Sequence, residues 1–203
     1  MKDFGLVVIG AHFGVWLKNI ISQHKNENIL LVEPVPYNYE ILKNNFLENK
    51  NILICTNAIF SKQKREKFYF VKEKSIHELG KHWASGIGSF DKQHILNHRS
   101  KRFQITDNDI EIAEIEFLTF DNLIDKYEIG SIDKLQIDVE GAEFEILNSI
   151  NLERININSI QFESKHFDGT FIEGSKLKDI KDKLKANGYN LSKIDNENIL
   201  AEK

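Results

Sequence analysis

Short apolar runs alternate along this chain with longer stretches of helical spacing. Residues 6–9 (L-V-V-I), 28–33 (N-I-L-L-V-E) and 51–55 (N-I-L-I-C) are brief and continuous, as strands buried on both faces are. Between them, Phe13, Trp16, Leu17, Ile20 and Ile21 recur at helical spacing, and Tyr37, Ile41, Leu42 and Phe46 do the same. The pattern predicts helices over 13–24 and 36–48. Strand, helix, strand, helix, strand is the first half of a doubly wound α/β sheet. Right-handed crossovers place the second strand beside the first and the third beyond it.

The middle is less regular. Residues 67–71 (K-F-Y-F-V) and the strictly alternating 111–117 (E-I-A-E-I-E-F) read as strands. Between them, W-A-S-G-I-G-S-F holds too many small residues for a helix interior. Thr119 is placed to cap a helix running to Tyr127, with Asp121 near its positive end. The βα rhythm then resumes, with strands over 132–139 and 158–162 and helices over 142–150 and 175–187. Gly188 follows the last helix as a C′ glycine. Residues 189–194 and 198–202, split by D-N-E, form a terminal hairpin, so one of its strands must run antiparallel. The expectation is one domain over 1–203, with an inserted irregular segment at about 72–110.

Composition narrows the class. With 203 residues and 41% hydrophobic positions, the chain can bury a full core. Its 27 Lys and Arg against 31 Asp and Glu leave a net charge of -4, which argues against nucleic-acid binding by bulk charge. Lys-rich helix faces read as solvated surface. The single cysteine, Cys55, excludes a disulfide framework and a Cys-rich zinc site. No apolar run reaches the ~20 residues of a membrane span, and the first residues lack a signal-peptide pattern. A soluble cytoplasmic protein is expected.

Four places carry candidate chemistry. V-I-G-A-H-F-G (8–14) joins the first strand to the first helix, where Gly10 and Gly14 allow a sharp turn and a close ligand. Its G-x-x-x-G spacing differs from the dinucleotide fingerprint, and a purely structural turn would also use it. Glu33 ends the second strand about 20 residues further on, where an acid accepts hydrogen bonds from the ribose hydroxyls of an adenosine cofactor. The alternative is a surface or capping carboxylate before Pro34. Asp138 and Glu140, in L-Q-I-D-V-E-G-A-E, end the fourth strand, where open parallel sheets bind ligands. Glu140 and Glu143 also suit the positive end of the following helix. Glu163 and His166, in Q-F-E-S-K-H, end the fifth strand. These carboxylates and His166 are expected to face one cavity, with the 83–90 loop on the same side, Ser89 near the cofactor and Trp83 near the acceptor mouth.

The tract L-Q-I-D-V-E-G-A-E-F-E-I-L resembles the signature of FkbM-type S-adenosylmethionine-dependent methyltransferases. V-I-G-A-H-F-G, L-V-E-P-V-P, N-A-I-F-S, L-T-F-D-N-L and F-E-S-K-H agree with the family in order and spacing, across most of the chain. The resemblance implies a seven-stranded sheet of order 3-2-1-4-5-7-6, with strand seven antiparallel and helices on both faces. It implies S-adenosylmethionine as cofactor. Gly10, Ala11, His12 and Gly14 would line its methionine part, Glu33 and Pro34 its ribose, and Asn57 and Ala58 its adenine. Asp138 would lie near the sulfonium. The chain departs from the family at Val8, usually Asp, and His12, usually Asn. The implied reaction is O-methylation of a sugar, glycan or other small-molecule acceptor, not of nucleic acid. His166 is the first choice of base for the hydroxyl proton, with Glu140 and Glu163 next. Three rivals stand beside this reading. One is a metal-dependent methyltransferase using Asp138, Glu140 and Glu163 as ligands, although the preferred reading assigns no metal. The others are a nucleotide-cofactor oxidoreductase and a non-enzymatic cofactor-binding remnant.

Overall fold

The computed structural model describes residues 1–80, 82–97, 105–169 and 172–203, without the side chains of Leu79, His82 and Trp83. The expected position of the Trp83 ring therefore lies outside the described part.

In chain order the elements begin with β1 (Lys2–Ile9), α1 (Lys18–Gln23), β2 (Asn28–Val32), α2 (Pro36–Asn45) and β3 (Ile52–Cys55). Next come β4 (Ala58–Ile59), β5 (Lys64–Val71), α3 (Glu73–Leu79), β6 (Gly88–Ser89), α4 (Lys92–Asn97) and β7 (Ile110–Leu118). The chain closes with α5 (Phe120–Tyr127), β8 (Ile129–Ile137), α6 (Glu143–Ser149), β9 (Asn156–Glu163), α7 (Ser175–Ala186), β10 (Asn190–Lys193) and β11 (Asn198–Glu202).

The main sheet has seven strands in the order β10-β11-β9-β8-β1-β2-β3. In chain numbering this reads 3-2-1-8-9-11-10, because strands of a second sheet intervene. Counting the main sheet alone restores 3-2-1-4-5-7-6, and the seventh strand, β11, pairs antiparallel with both neighbours. Asp195 makes that hairpin turn by accepting from the Glu197 and Asn198 N–H groups, each at 2.7 Å.

The pleat splits the core into two. Leu6 and Val8 face Leu17, Ile21, Leu42 and Phe46 from the α1 and α2 side. Val7, Ile9, Leu135 and Ile137 face Leu123, Ile146, Ile180 and Leu184 from α5, α6 and α7. Apolar strand residues buried on both faces explain the continuous runs in the sequence. Thr119 caps α5 as expected, its Oγ accepting from the Asn122 N–H at 3.0 Å.

Two regions differ from expectation. The 13–24 helix is shortened to a 3₁₀ turn, Val15–Leu17, followed by α1. Positive φ at His12 and Gly14 (51° and 71°) spends those residues on the turn. Leu17 and Ile21 stay in the core, but Trp16 is 85% exposed. The 72–110 segment carries α3, a 3₁₀ helix at His82–Gly86, β6 and α4. With β4, β5 and β7 it contributes to a second sheet of order β4-β7-β5-β6. Residues 98–104 of it lie outside the described part.

Parallel register aligns the strand ends. Ile9 lies opposite Val32 and Ile137, Val32 opposite Cys55, and Ile137 opposite Phe162. The residues that follow, Gly10, Glu33, Asp138 and Glu163, therefore emerge along one rim. Gly10 has φ 92°, and a Cβ there would stand 1.7 Å from the Asp138 carbonyl oxygen. Gly10→Ala should cost about 2–5 kcal/mol, from a strained φ and a backbone clash. Chemical denaturation of the variant beside the wild type measures it.

Candidate functional site

The turn after β1 folds over the end of β2. Gly10 and Ala11 both donate their N–H groups to the Val32 carbonyl, at 3.0 and 2.9 Å. Glu33 then takes the next donor. It is buried, and its Oε2 accepts from the His12 N–H at 2.9 Å. Its Oε1 accepts from the Val35 N–H at 3.0 Å and from Asn38 Nδ2 at 3.2 Å. Burial pushes the carboxyl up to about 7, against the pull of these donors. The His12 ring stacks on Phe13 and its Nε2 meets Ser85 Oγ at 2.6 Å. Burial holds this imidazole down at about 4, so it is neutral at pH 7. Asn38 Nδ2 also donates to the Ser85 carbonyl at 2.8 Å. These two bonds fasten the His82–Gly86 turn to the rim.

A second buried carboxylate shapes the end of β8. Glu143 accepts from the Val139 N–H at 2.8 Å and the Gly141 N–H at 2.9 Å. It was expected only to meet a helix dipole; instead it organises the loop between β8 and α6. The loop's backbone is unusual, with positive φ at Glu140 (56°) and Gly141 (116°). Burial pushes Glu143 up to about 7. Asp138 is exposed, yet burial of its carboxyl group and the charge of Glu140 raise it above the usual carboxylate range.

Behind that loop lies a charged cluster. Lys165 bonds Glu163, and its Nζ lies 3.7 Å from Glu197 and 3.9 Å from Glu140. His166 Nε2 lies 3.6 Å from Glu140 Oε2. The contact with Glu140 raises the His166 pKa despite partial burial. Burial, with repulsion from Asp138 and Glu140, pushes Glu163 up to about 7 although Lys165 opposes it.

A cavity of about 640 Å³ opens at the rim, within the usual range for a cofactor site. Gly10, Ala11, His12, Glu33, Pro34, Ala58, Ser89, Asp138 and Glu140 line it. Phe13, Trp16, Phe60, Phe90 and His94 complete much of the wall. Four expected residues are not among the lining residues: Gly14, Asn57, Glu163 and His166. Gly14 packs instead on Leu42 and Phe46, where a Cβ would come within 2.6 Å of both side chains. The Asn57 amide is committed to Glu116 and Lys126. Thus Asp138 and Glu140 face the cavity, and the other two members of the expected acid–base group do not.

Two residues escaped the sequence reading. Lys165 stands between Glu163 and His166 in the chain and passed as a loop residue. His94 sits on α4, beside the small-residue stretch. Its ring packs near Gly141, whose Cβ would lie 3.2 Å from His94 Cε1, and lies edge-on to His166 at 5.8 Å.

Comparison with known proteins gives this arrangement its class. The fold resembles that of a precorrin-6y C5,15-methyltransferase from Geobacter metallireducens GS-15, at 12% identity and TM-score 0.51, covering 100% of this chain and 82% of that one. The Methanococcus jannaschii fibrillarin pre-rRNA processing protein is similar at 10% identity and TM-score 0.49, over 99% of this chain and 66% of its own. An Aeropyrum pernix fibrillarin, solved with natively bound S-adenosyl-L-methionine, gives 10% identity and TM-score 0.48, with the same coverages. No curated protein matches the chain. At 12% identity the first of these likenesses shows the fold alone. Residues 9–191 match the methyltransferase FkbM domain, and the chain belongs to that family. It is a methyltransferase whose cofactor is S-adenosylmethionine, which sets aside the oxidoreductase and non-enzymatic readings.

Glu143→Ala would leave two backbone N–H groups without their acceptor. It should cost about 2–4 kcal/mol in denaturant unfolding, since bonds to a charged group contribute about 1.5–3 kcal/mol each before relaxation.

Proposed function

We propose that this chain methylates a hydroxyl oxygen on a sugar, glycan or other small-molecule acceptor, with residues 1–203 acting as one domain. The cofactor lies along the rim. Gly10, Ala11, His12 and Asp138 receive its methionine end, Glu33 and Pro34 its ribose, and Ala58 and Ser89 its adenine. Gly14 and Asn57 act from behind the wall, by packing and by holding Glu116 and Lys126. The observation that carries the reading is Glu140, a carboxylate on the cavity wall backed by His166 at 3.6 Å.

Methyl transfer is an in-line displacement. Much of its acceleration comes from holding oxygen, methyl carbon and sulfur aligned. The acceptor must also lose its proton. Glu140 is within the cavity and takes that role, and His166 orients Glu140. This reverses the order expected from side-chain type alone. Among the described residues, the cavity lining contains no Lys or Arg, which supports an uncharged acceptor over a nucleic acid. A cytoplasmic location belongs to the same proposal and rests on the lone, buried Cys55. The class of helix that crosses a membrane is absent among the described residues.

The deciding experiment supplies labelled S-adenosylmethionine with neutral saccharides, glycosides, polyketide-like alcohols and RNA. Label should appear in an acid-stable ether on one of the first three. Label on RNA alone, or on an amine, would overturn the acceptor class. On the true acceptor, Glu140→Gln should lower turnover by about 10²–10⁴-fold while sparing cofactor affinity.

Glu33 adds a pH signature. A ribose needs it ionised, and burial pushes its pKa up to about 7. Ionisation is favoured above that value, so affinity for S-adenosylhomocysteine should tighten from pH 6 to pH 8 and then level. Calorimetry across that range, with Glu33→Gln as a flat and weaker reference, checks the sign.

A further inference from the structure

Two overlapping groups of ligand atoms converge beside the cavity. One is Glu140, Glu163 and His166; the other is Asp138, Glu143 and Glu163, with the atoms of each group within 4.8 Å of one another. Glu163 belongs to both. It is 5% exposed, and its two oxygens are treated differently. Oε1 is held by Lys165, while Oε2 is buried with no hydrogen-bond partner among the described residues. A buried carboxylate oxygen left open is costly, and native structures rarely leave one so.

Lys165 does not meet the need. Its ion pairs go to Glu140, Glu163 and Glu197. No ion pair among the described residues reaches Asp138 or Glu143. Glu143 already accepts two N–H groups, but a carboxylate has about four lone-pair sites and keeps some for a further ligand.

We propose that Asp138, Glu143 and Glu163 bind a divalent cation through carboxylate oxygens, beside Lys165 rather than in its place. Three oxygen donors select a hard cation. The three ligand atoms lie within 4.8 Å of one another, close enough to share one such ion. Asp138 is its one member that also lines the cavity, so the ion adjoins the methionine end of the proposed cofactor site.

Binding is testable without cofactor, acceptor or turnover. The full chain, stripped with chelator, is titrated with calcium chloride and separately with manganese chloride at pH 8 by calorimetry. One equivalent should bind with a Kd below about 1 mM, the weak end of protein calcium sites. Glu163→Gln and Asp138→Asn should each weaken it at least tenfold, while Glu202→Gln, at the end of β11 away from Glu163, should not. Calcium should also raise the Tm of the wild type and not that of Asp138→Asn. Asp138 is exposed, so this variant carries the test if Glu163→Gln does not fold. No saturable uptake up to 1 mM, or an unchanged Kd in Asp138→Asn, would overturn the proposal in favour of a proton on Glu163. S-adenosylmethionine binding, measured in separate samples, judges the methyl-donor site independently.

Discussion

Past the ends of β1, β2 and β8 the strand ladder runs out: Gly10, Glu33 and Asp138 still donate to neighbouring strands, but the N–H groups of His12, Val35, Val139 and Gly141 need other acceptors. Glu33 and Glu143 solve this at two points on the rim. Each is a buried carboxylate that collects backbone donors from a loop with positive φ. Burial penalises the charged form, and the donors return only part of that cost, which is why both carboxyls sit near 7. The loops they hold present Gly10, His12, Asp138 and Glu140 to one cavity. The rest of the site depends on those two loops keeping their shape.

The second sheet works from the other side. Tyr37 donates to the Val71 carbonyl at 2.8 Å, and Ser85 is tied to both His12 and Asn38. The chain between β5 and β7 is thereby drawn over the carboxyl ends of the main sheet. It delivers Ser89, Phe90 and His94 to the cavity wall. Phe90 packs edge-on against Phe60 at 4.9 Å, and Lys64 lies over both rings. An apolar wall beside a carboxylate-bearing wall suits a ligand with a flat base at one end and polar groups at the other.

Strand-level organisation was readable because continuous apolar runs and glycine turns are local signals. Glu33 and Asp138 stand on the cavity wall for the same reason: a strand end is a position in the sequence. Gly14 and Asn57 lie off the cavity lining, because spacing does not reveal direction. Gly14 turns toward Phe46, and the partner that claims Asn57, Glu116, comes from a strand far along the chain. The second sheet was invisible for a related cause, since the Lys64–Phe117 pairing joins segments whose periodicity says nothing about their partner. Glu143 was seen as a helix-end acid, although its nearness to Val139 and Gly141 is the only local hint of its bonds. Lys165 needed the third dimension, because an ammonium shared by three carboxylates has no signature in spacing.

The two departures from the family pattern become intelligible in the structure. His12 occupies a left-handed conformation, where Asn is the usual residue and His is among the few others enriched. Its N–H on Glu33 and its ring between Phe13 and Ser85 offset the strain. Val8 is fully buried among Leu6, Leu17, Ile21 and Leu42. A carboxylate there would need donors that this apolar cluster does not contain. The chain has therefore replaced a polar contact with packing under the turn. On the proposed reading, a cofactor amino group on this rim would instead meet acceptors on the cavity wall, where Asp138 lies beside Gly10.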